Sequence, residues 1–200
     1  MSKAISKATS RTEHKERTRD ALRHAALDLF ATQGFDTTTA DEIAERAGVS
    51  GRTFFRYFPT KETVLWAGER EWVESFTERY PNQVSTLSDV EAMCLTIIEL
   101  APISGMAQGA LRLYSRAVAS SVTLRGQETD HTREDTAKVA EAIAARRGAP
   151  DVDESCLLLA SVGMMTYRRA LDAWLLAPDG AELGPVIAAE FTMLAESLDR

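Results

Sequence analysis

The sequence predicts an all-α protein, with an N-terminal three-helix domain that contains a helix-turn-helix and a larger helical body after it. Apolar residues recur at helical spacing along most of the chain, and no segment clearly alternates apolar and polar residues as a half-buried strand does. Glycine, proline and capping residues divide the chain into segments of helical length. With 44% apolar and 26% charged residues among 200, the composition is that of a soluble globular protein.

The sequence also indicates the cellular compartment in which the protein is expected. No apolar run reaches the roughly 18 residues that a membrane-spanning helix needs, and the start of the chain lacks the apolar core of a signal peptide. Two cysteines, Cys94 and Cys156, are too few for a disulfide framework, and neither lies in a CxxC pair. We therefore expect a cytoplasmic protein with reduced cysteines and no membrane partner.

Charge is distributed unevenly along the chain. The net charge of −7 argues against a nucleic-acid binder, but residues 1–60 hold 10 Lys/Arg against 8 Asp/Glu, while residues 61–200 hold 13 against 22. A surface that binds polyanions is therefore expected in the N-terminal region, ahead of an acidic body.

The first elements follow from local signals. Residues 1–12 are polar and aperiodic, which predicts a mobile basic tail. A helix from about residue 13 to residue 32 carries one apolar stripe, made by Leu22, Ala25, Ala26, Leu29 and Phe30. Gly34 is placed to end this helix.

The strongest local signal is a pair of short helices. Thr39 and Glu42 have capping-box spacing, which starts a helix that Gly48 ends. Ser50 is placed to cap a second short helix over residues 51–57, which ends before Pro59. Two short helices around a glycine-containing turn form a helix-turn-helix. We assign residues 13–60 to this domain.

Residues 61–200 form the predicted body. The predicted helices are 61–79, 88–100, 105–120, 127–147, 152–176 and 183–198. The helix over 152–176 is apolar around much of its circumference, which predicts burial on more than one side. The helices 152–176 and 183–198 together are a candidate homodimer interface, which Ile187, Phe191, Leu194 and Leu198 continue. Arg168 and Arg169 lie within it and could pair either across an interface or within the chain.

Residues 13–75 resemble the TetR family of bacterial transcription regulators. The resemblance rests on AALDLFATQGF (residues 25–35) and on TTTADEIAERAGVSGRTFFRYFPTKE (residues 37–62). It implies a homodimer that binds a palindromic operator in double-stranded DNA, and a helical body that dimerises and holds a small effector whose binding releases DNA. It also implies a repressor more often than an activator.

The candidate DNA-binding residues are Thr38, Thr39, Ser50, Gly51, Arg52, Thr53, Arg56, Tyr57 and Lys61. In a helix-turn-helix, the second helix presents its first residues to base edges. Arg52 can pair with guanine, although a solvated or phosphate-bound arginine is the alternative. Thr39 is either a cap or a phosphate ligand, or both. Lys61 matches the phosphate-binding lysine of the family.

One residue departs from the family pattern. The family commonly has tyrosine at the position of Phe55, where the hydroxyl donates to phosphate, and phenylalanine has no hydroxyl. Tyr57, where histidine is frequent, is the alternative hydroxyl donor. The departure puts in doubt which side chains contact phosphate.

The candidate effector-binding residues are Met93, Ile97, Met106, Arg112, Tyr114, Met164 and Tyr167. Methionines and aromatic residues at helical spacing are equally typical of ordinary core. Their composition favours a small apolar or amphipathic effector.

No catalytic residues stand out. The three histidines are scattered, and the sequence has no metal-ligand spacing and no GxSxG, Walker or GxGxxG motif. We expect no enzyme activity, no cofactor and no metal. The alternative function is a helical ligand-binding or partner-binding protein whose helix-turn-helix no longer reads DNA, which the net charge and Phe55 favour.

Overall fold

The structure, a computed structural model, describes residues 2–101 and 108–198, and those residues contain helices and no strand. The all-α prediction is confirmed for this part of the chain. The helices are α1 (Ser2–Gln33), α2 (Ala40–Arg46), α3 (Gly51–Tyr57), α4 (Lys61–Arg79), α5 (Asp89–Leu100), α6 (Gln108–Ser120), α7 (Val122–Arg147), α8 (Glu154–Leu176) and α9 (Leu183–Leu198), with a short 3-10 helix over Tyr80–Asn82 after α4.

Two helices begin earlier than the sequence predicts. Helix α1 begins at Ser2, so residues 2–12 are helical where a mobile tail is expected. The sequence of residues 1–12 has no apolar periodicity, so periodicity could not place this part of the helix. Helix α7 begins at Val122 and not near residue 127, and the Leu124 amide donates to the Ser121 hydroxyl at 3.3 Å at its start.

The chain divides into two compact units. The first holds the described residues of Met1–Ala67 and Arg112–Gly126, and the second holds those of Gly68–Leu111 and Gln127–Arg200. The predicted DNA-binding domain, residues 13–60, lies within the first unit, which also contains Arg112–Gly126. Helices α4, α6 and α7 therefore each contribute to both units.

The core of the first unit is built where α1 meets the two short helices. Leu22, Phe30, Ile43 and Phe54 are fully buried. Phe35 follows the end of α1 and packs edge-on against Phe30, with ring centroids 5.1 Å apart. The turn residue Gly34 has a φ of +93°, a left-handed conformation that favours glycine, so the predicted end of α1 is confirmed.

In the second unit, α8 packs against α9 and α5, and a stack of aromatic rings lies alongside. Tyr167, Trp72, Phe76 and Tyr80 follow one another, with centroid separations of 4.8, 5.6 and 5.2 Å. The Arg169 guanidinium lies 3.0 Å from the Glu190 carboxylate, an ion pair between α8 and α9. The pair within the chain is therefore formed, and a pair across a subunit interface stays a prediction.

Candidate functional site

Helix α2 is held at its start by a reciprocal cap. The Glu42 amide donates to the Thr39 hydroxyl at 3.2 Å, and the Thr39 amide donates to the Glu42 carboxylate at 2.7 Å. The hydrogen bonds from the Thr39 amide and hydroxyl lower the pKa of Glu42. The predicted capping box is confirmed, and the Thr39 hydroxyl serves as a cap on an exposed surface.

Helix α3 is capped and anchored in a way that fixes which face is exposed. The Thr53 amide donates to the Ser50 hydroxyl at 3.2 Å, and the two hydroxyl oxygens lie 3.0 Å apart. Phe54 and Phe58 are buried on the packed side. The predicted cap by Ser50 is confirmed, and α3 cannot rotate without exposing two aromatic rings.

Gly51 permits the close approach of α2 and α3. A Cβ atom at this position would lie 2.2 Å from the Asp41 carboxylate oxygen. Gly51 is therefore a packing residue at the base of the exposed face, and any DNA contact from it comes from the backbone.

The exposed face of α3 consists of Arg52, Phe55 and Arg56. Their spacing of i, i+3 and i+4 places them on one side of the helix. Within the described part of the chain, the Arg52 side chain makes no hydrogen bond or ion pair. The Arg56 guanidinium lies 5.2 Å from the ring centre of half-buried Tyr57. Phe55 is 55% exposed. The sequence analysis did not include Phe55 as a DNA contact, although its spacing from Arg52 is the signal that finds it.

Thr38 is not part of this surface. It is only 1% exposed, and its hydroxyl donates to the Gly34 carbonyl at 2.7 Å. The sequence places Thr38 among the phosphate ligands because it adjoins the helix start, but the turn after α1 folds it inward. Thr38 is a structural residue of that turn.

Lys61 also points toward the protein. Its ammonium donates to the carbonyls of Phe35 at 2.8 Å and Thr38 at 3.0 Å, and lies 4.2 Å from the centre of the Phe35 ring. These contacts tie the start of α4 to the turn before α2. In this structure Lys61 holds the helix-turn-helix together, and its contact with phosphate remains a prediction.

The candidate effector-binding residues fall into two groups. Met93 and Ile97 are fully buried in the second unit, and Met164 and Tyr167 are half-buried against the same core. Arg112 and Tyr114 belong to the first unit, where Tyr114 packs edge-on against Trp66 with ring centroids 6.0 Å apart. Met106 lies outside the described residues.

The second unit has a polar feature that the sequence analysis missed. One carboxylate oxygen of Glu69 and the indole nitrogen of Trp72 are buried without a hydrogen-bond partner. Burial raises the pKa of Glu69 to about 7, with smaller contributions from the negative charges of Asp135 and Glu128. Periodicity cannot find such a site, because burial by the rest of the unit and the acids of α7 make Glu69 unusual.

No group of three or more His, Cys, Asp or Glu side chains in the described ranges could hold a metal ion. No helix in those ranges is both long enough and apolar enough to cross a membrane.

Family models match both parts of the chain. Residues 22–67 match the bacterial regulatory proteins of the tetR family, and residues 87–199, more than half of the chain, match the MftR C-terminal domain. The chain belongs to the TetR family. The predicted resemblance is confirmed, and the helix-turn-helix of this TetR-family protein lies within the first match.

Individual relatives agree with this assignment. TcmR of Streptomyces glaucescens, an HTH-type transcriptional regulator, is 34% identical over 145 residues, which are 69% of this chain and 63% of TcmR. The match thus spans less than two thirds of that relative.

Solved structures share the fold. SmeT, the repressor of the Stenotrophomonas maltophilia multidrug efflux pump SmeDEF, superposes with a TM-score of 0.59 at 17% identity, over 90% of this chain and 89% of SmeT. The TetR-family repressor FadR of Thermus thermophilus, solved in complex with lauroyl-CoA, gives 0.50 at 24% identity, over 89% and 93% of the two chains.

Proposed function

We propose that this TetR-family chain represses transcription as a homodimer that binds a palindromic operator and is released by a small-molecule effector. The observation that carries the proposal is the exposed face of α3. A capped and anchored helix presents Arg52, Phe55 and Arg56 side by side, and the second helix of a helix-turn-helix is the element that enters the major groove.

Each of these side chains has a distinct role on DNA. The Arg52 fork matches the O6 and N7 acceptors of guanine. The exposed Phe55 ring suits the methyl group of thymine, so the residue that lost the family's phosphate-binding hydroxyl gains an apolar base contact. Arg56 is placed to neutralise a phosphate.

Hydroxyl groups around α3 complete the proposed interface. Thr39, Ser50, Thr53 and Tyr57 carry hydroxyls at exposed or half-buried positions and can donate to phosphate oxygens. Lys61 acts here as a positioning residue, since its ammonium already serves the Phe35 and Thr38 carbonyls. Removing it would tilt or loosen α2 and α3 relative to the turn.

Exposed apolar surface on α8 and α9 supports the proposed homodimer. Leu158 and Met165, two turns apart on α8, are 66% and 67% exposed, and Met193 on α9 is also exposed. Large exposed apolar side chains on adjacent helices mark an interface. Ile187 and Phe191 are buried within the chain, so they support this surface from below and do not form it.

The effector is a small apolar or amphipathic molecule held by the second unit. The fold shared with Thermus thermophilus FadR, whose structure contains lauroyl-CoA, supports this part of the proposal. Half-buried Met164 and Tyr167 supply adaptable apolar and aromatic surface.

Selection from a pool of randomised duplexes tests the proposal. The expected result is enrichment of a palindrome, footprinted as two half-sites about one helical turn apart, with affinity typical of specific complexes, about 10⁻⁸ M or tighter at physiological salt. Selection without an enriched sequence overturns DNA reading and leaves a helical ligand-binding or partner-binding protein.

A further inference from the structure

Two buried polar atoms on one face of α4 lack partners. Glu69 and Trp72 are one turn apart, and neither the Glu69 Oε2 atom nor the Trp72 indole N–H makes a hydrogen bond within the described residues. Trp72 is only 6% exposed. Buried polar groups in native proteins almost always have partners, because an unsatisfied group costs desolvation without compensation. These two atoms therefore call for a partner that the described residues do not supply.

Tyr167 connects the two residues. Its ring stacks on Trp72 with centroids 4.8 Å apart and an interplanar angle of 8°. Burial raises the pKa of Tyr167, and the negative charge of Glu69 raises it further. We call Glu69, Trp72 and Tyr167 the α4–α8 polar group.

The surroundings of this group are negative. The negative charges of Asp135 and Glu128 on α7 both raise the pKa of Glu69, and the positive charge of Arg168 on α8 lowers it. Arg168 is itself ion-paired with Glu128. On α7, His131, Glu134 and Lys138 lie around Asp135, with Lys138 3.5 Å from it. Because Arg168 pairs with Glu128 and Lys138 pairs with Asp135, the charge that would repel a bound anion is ionised Glu69 itself, whereas a cation would offset the cost of ionising buried Glu69.

We propose that the α4–α8 polar group binds an amphipathic effector through a protonated amine. The ammonium donates to the Glu69 carboxylate, and an oxygen on the same molecule accepts from the Trp72 indole. Trp72 stacks on both Tyr167 and Phe76, so an aromatic ligand would meet the ring edges and the remaining surface of Tyr167. This inference rests on the proposed function, since it names the chemical class of the effector.

The pairing makes amine affinity dependent on pH in one direction. Only ionised Glu69 attracts the ammonium, so a proton competes with the ligand. With a pKa of about 7 for Glu69, the dissociation constant of an amine should rise about tenfold from pH 8 to pH 6, while the aliphatic amine stays protonated at both. A neutral ligand should show no such change from this residue.

The test uses three probes of nearly the same shape with the full chain, measured by isothermal titration calorimetry. The probes are 2-amino-1-phenylethanol, 2-phenylethylamine without the hydroxyl, and 1-phenyl-1,2-ethanediol without the amine. We expect the diol to bind about ten- to a hundredfold more weakly than the amino alcohol, because it lacks the charge-assisted bond. Loss of the hydroxyl should cost about three- to tenfold through Trp72.

Three variants assign the contacts. Glu69→Gln should remove the preference for the amine and its pH dependence, and Trp72→Phe should remove the preference for the hydroxyl while keeping the ring stack. Glu74→Gln removes the same charge from an exposed position of α4 and should leave all three affinities unchanged.

The proposal is overturned if the amino alcohol does not bind, if the diol binds equally well, or if the amine preference survives in Glu69→Gln. Water filling the site would give the first of these results. The operator titration with ligand-free protein is independent. Operator binding without amine binding removes this inference alone, whereas amine binding without operator binding removes the proposed function and leaves the site.

Discussion

Replacing Glu69 with glutamine should stabilise the protein at pH 8 much more than at pH 5. The carboxyl has a pKa of about 7 in the folded chain, against the usual 4.5, because it is buried beside negative charge. A raised pKa means that the folded chain holds the proton after the unfolded chain has lost it. The contribution of the Glu69 carboxyl to the free energy of unfolding is therefore fully present below pH 4.5 and is lost as the pH rises through 7.

The size of the effect follows from the shift in pKa. Each unit corresponds to about 1.4 kcal/mol, so the full difference for a shift from 4.5 to about 7 approaches about 3.5 kcal/mol above pH 7. Most of it, about 2 to 2.5 kcal/mol, develops between pH 5 and pH 8. Glutamine has no proton to lose, so the stability gained by Glu69→Gln should grow by that amount across the same interval.

Urea denaturation of both proteins at pH 5, 6, 7 and 8 measures this growth. Tryptophan emission reports the second unit through Trp72 and Trp174, and far-ultraviolet circular dichroism reports the whole chain. The exposed variant Glu74→Gln should show a flat difference over the same range. If Glu69→Gln differs from the wild type by a constant amount at all four pH values, Glu69 titrates normally and is not buried as described.

Three further substitutions test other contacts. Lys61→Ala should lower the free energy of unfolding by about 2 kcal/mol in urea denaturation, because charge-assisted hydrogen bonds to two carbonyls are lost; an unchanged midpoint would leave phosphate contact as its only role. Gly163→Ala should destabilise the chain by about 1 to 3 kcal/mol, because the added Cβ would lie 1.9 Å from the Met93 sulfur. In a Met93→Ala background, the same substitution should stabilise the chain by up to about 1 kcal/mol through helix propensity. A change in the free energy of unfolding of the same sign in both backgrounds would contradict the contact. Met165→Lys should convert a dimer to a monomer in sedimentation velocity, and a monomeric wild type at micromolar concentration would refute the proposed interface.

The sequence predicted most where the signals are local. The Thr39–Glu42 cap and the Ser50 cap depend on residues three positions apart, so α2 and α3 could be placed before any packing was known. The predicted helix ends at residues 79 and 147 are likewise those of α4 and α7. Such signals act through neighbouring backbone groups and need no tertiary information.

Side chains whose roles depend on other helices could not be predicted. Thr38 looks like a surface threonine in the sequence but is buried by the turn after α1. Lys61 matches a phosphate ligand of the family, while its ammonium is occupied by carbonyls more than 20 residues earlier in the chain. Glu69 resembles any charged residue of a helix, and only burial by the rest of the unit and the acids of α7 make it unusual.

The measurement that tests DNA reading most directly is a titration of the selected operator and its single-base variants, at two salt concentrations, with wild-type protein and Arg52→Ala. We predict that Arg52→Ala weakens binding by about 1 to 3 kcal/mol on the parent operator and loses discrimination at one guanine in each half-site. Arg79→Ala, which removes the same charge from the exposed end of α4, should leave discrimination intact. Equal loss by Arg52→Ala on every operator variant would contradict base readout by the exposed face of α3.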